Sequence, residues 1–261
     1  MGRNGTGEWM SEQGGKVWSL LSGGKDSVAA THVLSNQGRL AGCVFIDTGI
    51  ACPDTCPFVQ KLCRSQGWPL RIYSAPKTYE ELVRRYGFPV GLVGHRWAYG
   101  ALKERALRAA RKDLGRDVVF ASGARRLESE RRSRSVALFQ SGAVRIERPI
   151  QEWSTPQVWH YLRENGLGVS PAYLSLGRSG DCLCGAFSQR GEADVIRRAY
   201  PDVASRIEAL EREVASRFPY PKSRWGKSDR SYGGFTALRG RLTLEEAVCG
   251  GDCADAGLSG G

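Results

Sequence analysis

The chain has 261 residues, 41% of them hydrophobic, with 38 Lys and Arg against 27 Asp and Glu and a formal charge of +11. That length suits one large domain, or one domain with a small appendage, and no run approaches the roughly 20 apolar residues that a bilayer span requires. The charge favours anionic partners, nucleotide phosphates first and nucleic acid second, and the polar, glycine-rich stretch Met1 to Gly15 has no apolar signal core, so a cytoplasmic location is expected.

Apolar runs alternate with helical patterns along the chain, which predicts an α/β fold: a doubly wound, mainly parallel sheet with helices on both faces. The first predicted strand is Val17–Leu21, followed by Ser22-Gly23-Gly24-Lys25-Asp26-Ser27 and a helix over Ser27–Asn36. A buried strand, a glycine turn and a helix start make a ready anion site, because glycines admit close backbone approach and the first helical N–H groups point at the ligand. Ser22 and Ser27 add hydroxyl donors, and Lys25 adds a point charge for a polyphosphate. The spacing is not that of the Walker loop, which has a four-residue spacer and ends in Gly-Lys-Ser/Thr.

The next strand, Leu40–Ile46, runs into Asp47-Thr48-Gly49, which places Asp47 at the carboxyl edge of the sheet near the first loop. A carboxylate there suits a ribose hydroxyl or Mg²⁺ held through phosphates, and the pairing with the preceding loop favours that role over a turn or helix cap, which Asp-Thr-Gly would also suit. A helix over Thr55–Gln66, a strand over Pro69–Ser74 and helices over Tyr79–Tyr86 and Trp97–Lys112 follow. The strand Val118–Ala121 leads to Ser122-Gly123-Ala124-Arg125-Arg126-Leu127-Glu128, where paired arginines can clamp phosphate or sulfate bidentately or form a solvated basic loop. The strand Val144–Glu147 precedes Ser154-Thr155-Pro156, a helix start with a cap and a first-turn proline, for a helix over Pro156–Asn165 stopped by Gly166. Beyond Gly191 come polar helices over Glu192–Arg198 and Pro201–Arg217, then a Gly-, Arg- and aromatic-rich stretch expected to be irregular. The organisation expected is a disordered N-terminus over 1–15, a nucleotide-binding domain over 16–190, a helical and irregular extension over 191–253, and a disordered tail over 254–261.

Four motifs in order carry a resemblance: Ser22-Gly23-Gly24-x-Asp26-Ser27; Asp47-Thr48-Gly49 followed by Pro53-Asp54-Thr55; Gly123-x-Arg125-Arg126-x-Glu128-Ser129; and Arg148-Pro149-Ile150-x-x-Trp153. The first resembles the PP-loop of the ATP pyrophosphatases. Together they resemble the phosphoadenosine phosphosulfate reductase family of the PP-loop adenine-nucleotide α-hydrolases, a family that includes sulfonucleotide reductases, the small subunit of ATP sulfurylase and DndC-type enzymes. The likeness runs from about Val17 to Phe187. It implies ATP or an adenosine phosphosulfate-type nucleotide bound with Mg²⁺ by Ser22, Gly23, Gly24, Asp26, Ser27, Asp47, Thr48, Gly49, Gly123, Arg125 and Glu128; Lys25 and Arg126 join these as cations for the phosphates, and Lys25, Asp26 and Arg125 are the catalytic candidates. His95 and Lys103 resemble the family's helix before the arginine-motif strand. Candidate partners are a sulfur-donor protein, a DNA or tRNA acceptor and a second copy of the chain.

Eight cysteines in a chain expected in the cytosol point to metal or redox work rather than disulfides. Cys182 and Cys184, with Cys249 and Cys253, supply four thiolates for Zn²⁺ or an iron–sulfur cluster. Cys43 reads as a small core residue, and Cys52, Cys56 and Cys63, spaced four and seven apart, share a helical face suited to burial, with a sulfur-handling role at Cys52 or Cys56 as the alternative. Reductases of the resembled family carry a C-terminal nucleophilic cysteine in a Glu-Cys-Gly-Leu-His-like segment. Here Glu245-Glu246-Ala247-Val248-Cys249-Gly250 lacks that order, which favours adenylation with pyrophosphate release over reduction, with reduction through Cys249 or Cys253 and a non-catalytic nucleotide- or nucleic-acid-binding module as rivals.

Overall fold

A computed structural model describes residues 15–126, 138–141 and 144–227. Six strands form one sheet in the order β3-β2-β1-β4-β6-β5. They are β1 (Val17–Leu20), β2 (Leu40–Asp47), β3 (Leu70–Ser74), β4 (Val119–Ala121), β5 (Leu138–Ser141) and β6 (Val144–Glu147). Five run parallel, and the edge strand β5 lies antiparallel to β6. The chain leaves β1 on one side for β2 and is met on the other by β4, so the strand order reverses there. Crevices of this kind, beyond the carboxyl ends of the strands, are where open α/β sheets take ligands.

The helices are α1 (Lys25–Asn36), α2 (Thr55–Gln66), α3 (Tyr79–Tyr86), α4 (Gly91–Tyr99), α5 (Arg105–Leu114), α6 (Thr155–Glu164), α7 (Pro171–Leu176), α8 (Glu192–Ala199) and α9 (Pro201–Val214). Alternation along β2 sorts the two faces. Cys43 and Phe45 join Leu21, Val28, Val59 and Leu162 under α1, α2 and α6, while Val44 joins Leu107, Ala110, Phe120 and Ile146 under α5. A third core lies beyond the carboxyl ends of β2 and β3: Tyr79, Phe88, Leu102, Leu176, Leu183, Ile196, Ile207 and Trp225 are buried together. Helices α8 and α9 therefore share a core with α3 and α7.

Several boundaries follow from short-range chemistry. Thr78 and Glu81 close a capping box at α3, and Ser154 and Gln157 close another at α6 with proline in the first turn, as expected for that start. The expected helix over Trp97–Lys112 is corrected in form. A helical run extends from Gly91 to Leu114, interrupted by a π-helical turn at Gly100–Glu104 that rotates everything after it relative to α4. Gly94 permits the early start, because an added Cβ would lie 2.5 Å from the Pro89 carbonyl carbon. Strand β5 and helix α7 were not anticipated, being four and six residues long and carrying little periodicity.

Candidate active site

The loop after β1 is held by its own serines. The Ser27 hydroxyl donates to the Gly24 carbonyl (2.9 Å) and accepts from the Ser22 N–H (3.2 Å) and the Ser22 hydroxyl (3.1 Å). Gly23 stands at φ +81, a conformation that other residues rarely adopt, and Gly24 caps α1 with no side-chain bond. Among the described residues, nothing accepts from the N–H groups of Lys25, Asp26 or Ser27. An uncapped helix start with free N–H groups and an aligned dipole is a site for an anion.

Charge is concentrated on Asp26. Its carboxylate accepts from Lys25 Nζ (2.5 Å) and from Arg125 Nε (2.7 Å). Arg125, 3% exposed, spends its other N–H groups on the Trp153 carbonyl (3.0 Å) and the Thr155 hydroxyl (3.1 Å). It thus ties the phosphate loop to the start of α6. Arg126 pairs instead with Glu152 at 3.0 Å on the surface, while Arg125 is held by the Trp153 carbonyl and the Thr155 hydroxyl. Gly123 packs directly on the helix start, where a Cβ would stand 2.4 Å from the carbonyl carbon and oxygen of Asp26. Glu128 lies outside the described residues.

In the second motif, Asp47 Oδ1 accepts from the Gly49 N–H (2.8 Å), a turn bond of the kind its sequence offered as the alternative to a ligand role. Thr48 is buried and donates to the Asp181 carbonyl at 2.9 Å. That bond belongs to a feature the sequence did not reveal: residues 170–183 form a strap over the loops. Ser170 N–H donates to the Gly23 carbonyl (2.8 Å), Thr55 to the Ser179 carbonyl (3.3 Å), Cys52 N–H to the Gly180 carbonyl (2.8 Å) and Leu183 N–H to the Ile50 carbonyl (2.6 Å). Gly180, at φ +65, lies so close to α7 that a Cβ would meet that of Ala172 at 2.5 Å. The only sequence signal for the strap was its spacing of glycines around the cysteine pair.

An ion pair anchors the strap. Lys103, delivered by the π-helical turn, donates to Asp181 at 2.5 Å, and the Ser179 hydroxyl donates to the same carboxylate. Burial opposes both charges, but their mutual attraction outweighs it, holding Lys103 above the ordinary lysine range and Asp181 below the ordinary carboxylate range. Arg178 donates to the Cys182 carbonyl (2.7 Å) and pairs with the fully buried Glu192. His95 sits on α4 against Phe187.

The neighbouring Cys184 thiol, against burial and with help from the Lys103 charge, lowers Cys182 to about 6. The Cys182 thiol together with burial raises Cys184 well above the ordinary thiol range. Cys249 and Cys253 lie outside the described residues, and among those described no three His, Cys, Asp or Glu side chains gather as a metal site. Cys43, Cys52 and Cys63 are buried and Cys56 half-buried; burial first and the Asp54 charge second push Cys52 up to about 12, which suits packing rather than nucleophilic work.

The sheet order, the reversal between β1 and β4 and the uncapped start of α1 define a doubly wound α/β protein with an anion-binding loop at its switch point. The model of the phosphoadenosine phosphosulfate reductase domain matches residues 16–181, and the chain belongs to that family. A phosphoadenosine 5'-phosphosulfate reductase of Vibrio vulnificus is 30% identical over 186 residues, covering 65% of this chain and 72% of that protein. An uncharacterised protein of Methanocaldococcus jannaschii is 29% identical over 207 residues, covering 77% of this chain and 42% of its own length. Among solved structures, a phosphoadenylyl-sulfate reductase of Candida auris in a phosphate complex is similar with a TM-score of 0.48 and 21% identity, over 62% of this chain and 78% of that one. No helix among the described residues is long and apolar enough to cross a membrane.

Proposed function

We propose that the chain binds ATP or a related adenosine nucleotide at the loop Ser22–Ser27 and activates an acceptor for sulfur transfer. In this reading an acceptor oxygen attacks the α-phosphorus, the bond to pyrophosphate breaks, and a sulfur nucleophile later displaces AMP. The observation that carries it is the uncapped start of α1, with Asp26 fixed between Lys25 and Arg125. The N–H groups of residues 25–27 hold the phosphate tail, and Lys25 offsets part of its charge. Asp26, oriented by Arg125, supports a bound cation or the loop itself. Mg²⁺, when bound to the phosphates, would neutralise charge developing on the leaving group. Asp47-Thr48-Gly49 and Gly123 line the crevice for the nucleoside.

Cys182 and Cys184 are kept as two of four thiols, with Cys249 and Cys253, for zinc or an iron–sulfur cluster; their placement in one anchored loop supports this. Anaerobic purification with iron, zinc and sulfide analysis tests that part. Sulfonucleotide reduction is the second reading, favoured by the named activity of the Vibrio relative. Pyrophosphate release from ATP, abolished in an Asp26→Asn chain that circular dichroism shows to be folded at the assay temperature, supports adenylation. Sulfite release from phosphoadenosine phosphosulfate with a dithiol reductant, and no ATP turnover, transfers the assignment to reduction.

A further inference from the structure

A second surface lies on the outer side of α4 and owes nothing to the phosphate loop. Leu92, Arg96 and Tyr99 are spaced four and three apart, so they share one stripe, with His95 alongside. Leu92 is 68% and Tyr99 38% exposed, large values for apolar side chains on a folded domain. Phe187, 39% exposed, arrives from beyond the cysteine pair and sets its ring 4.6 Å from that of His95. His95 stacks in turn on Tyr99 at 5.9 Å with 27° between the planes. Three rings from two distant segments therefore form one ledge. The helical run from Gly91 to Leu114 carries six Lys and Arg against two acidic residues, and one of those, Glu104, already pairs with Arg108 at 2.8 Å. Arg190, three residues after Phe187, is exposed as well.

We infer that this ledge binds a single-stranded polynucleotide, with bases stacked on Tyr99 and Phe187 and phosphates held by Arg96 and its basic neighbours. Exposed rings offer any base a π-face, and the surrounding cations match a phosphate backbone. The charge of +11 and the cations around the rings select an anionic partner. The ledge stands one helical turn from Lys103, whose partner Asp181 belongs to the strap over the phosphate loop, so a strand lying there reaches toward the candidate active site.

The test is fluorescence anisotropy with labelled 12-residue oligo(dT), oligo(U) and a DNA duplex, at several salt concentrations. Single strands should bind more tightly than duplex. Tyr99→Leu and Phe187→Leu, which keep the surface apolar while removing the rings, should each weaken binding by about 5- to 100-fold. Arg96→Ala should reduce the salt slope by about 0.7. ATP calorimetry on the same variants should match the parent chain, which keeps this result separate from the nucleotide site. A preference for DNA or for RNA identifies the source of the strand, and either upholds the proposal. Equal affinity for duplex and single strand with both ring variants unaffected, no binding at all, or a change of oligomeric state in the ring variants on sedimentation with parental strand affinity would each overturn it.

Discussion

Gly123→Ala isolates the contact between the arginine-motif loop and the phosphate loop. Gly123 does not occupy the left-handed region, so alanine carries no backbone strain and the whole effect is steric. The new Cβ would stand 2.4 Å from the carbonyl carbon and oxygen of Asp26 and 2.6 Å from the Ser27 nitrogen. These are backbone atoms at the head of α1, so no side chain can swing aside; the two loops must part by about 1 Å to regain ordinary contact. Forced overpacking of this kind costs about 1–3 kcal/mol. At about 2–4 °C per kcal/mol for a domain of this size, the melting temperature should fall by about 2–12 °C. The same displacement moves the Ser27 N–H off a bound phosphate, and losing one hydrogen bond to a charged group, about 1.5–3 kcal/mol, weakens nucleotide binding by about 10- to 150-fold. Calorimetric titration with ATP and Mg²⁺, beside scanning calorimetry, measures both. Gly100→Ala is the control: it is helical, its nearest atom would be 3.7 Å away, and it should leave affinity unchanged while raising stability by up to about 1 kcal/mol. A Gly123→Ala protein that melts and binds as the parent does would refute the contact, and with it the coupling of the two motifs.

Arg125→Met removes a buried cation from Asp26 but leaves Lys25 in place, so a loss near about 3 kcal/mol is expected, or about 6–12 °C in melting temperature, and a loss under 1 °C would contradict its bridging role. Asp181 is a carboxylate whose pKa folding depresses, so the stability it contributes is complete above its ordinary value and lost as pH falls through the lower folded value. The gap in melting temperature between the parent and Asp181→Asn should therefore be widest near neutrality and close below about pH 4; a gap independent of pH down to 2.5 would rule out the Lys103–Asp181 pair. In metal-free protein, iodoacetamide should modify Cys182 with a midpoint at about 6 and spare Cys184, read by mass spectrometry across pH; a midpoint in the ordinary thiol range, or equal labelling of both, would contradict the effect of the Cys184 thiol and the Lys103 charge on Cys182.

What could be read from the residues in order is what depends on near neighbours. The phosphate loop and the capped start of α6 each rest on contacts within a few positions, the strands show as local apolar runs, and Thr55–Gln66, Tyr79–Tyr86 and Val144–Glu147 fall where the pattern placed them. Asp47 was legible as a ligand residue with a turn as the alternative, because the two roles use the same three residues; its Oδ1 accepts from the Gly49 N–H, a turn bond that leaves the second carboxylate oxygen for the crevice. Arg125 was legible as a cation near phosphate, but not as a bridge, since its partners Trp153 and Thr155 come from a later segment. The strap's contacts were out of reach: Thr48 meets Asp181, and Lys103 meets it too, only after the sheet and α4 have formed.

That division has a consequence for how the site is kept in shape. The phosphate loop has a local scaffold in its own serines, whereas the restraint on the loops is long-range and passes through Ser170, Ser179, Gly180 and Asp181, which lie outside the four motifs. Ser170 bonds the loop at Gly23, Gly180 wedges between Cys52 and Ala172, and Lys103 fixes Asp181. Each of these contacts joins the strap to a different loop of the crevice, so loosening the strap releases all three at once while leaving every motif residue in the chain. Loss of nucleotide binding on substitution at Gly180 would therefore be evidence about restraint, and would not place that residue among those that touch the ligand.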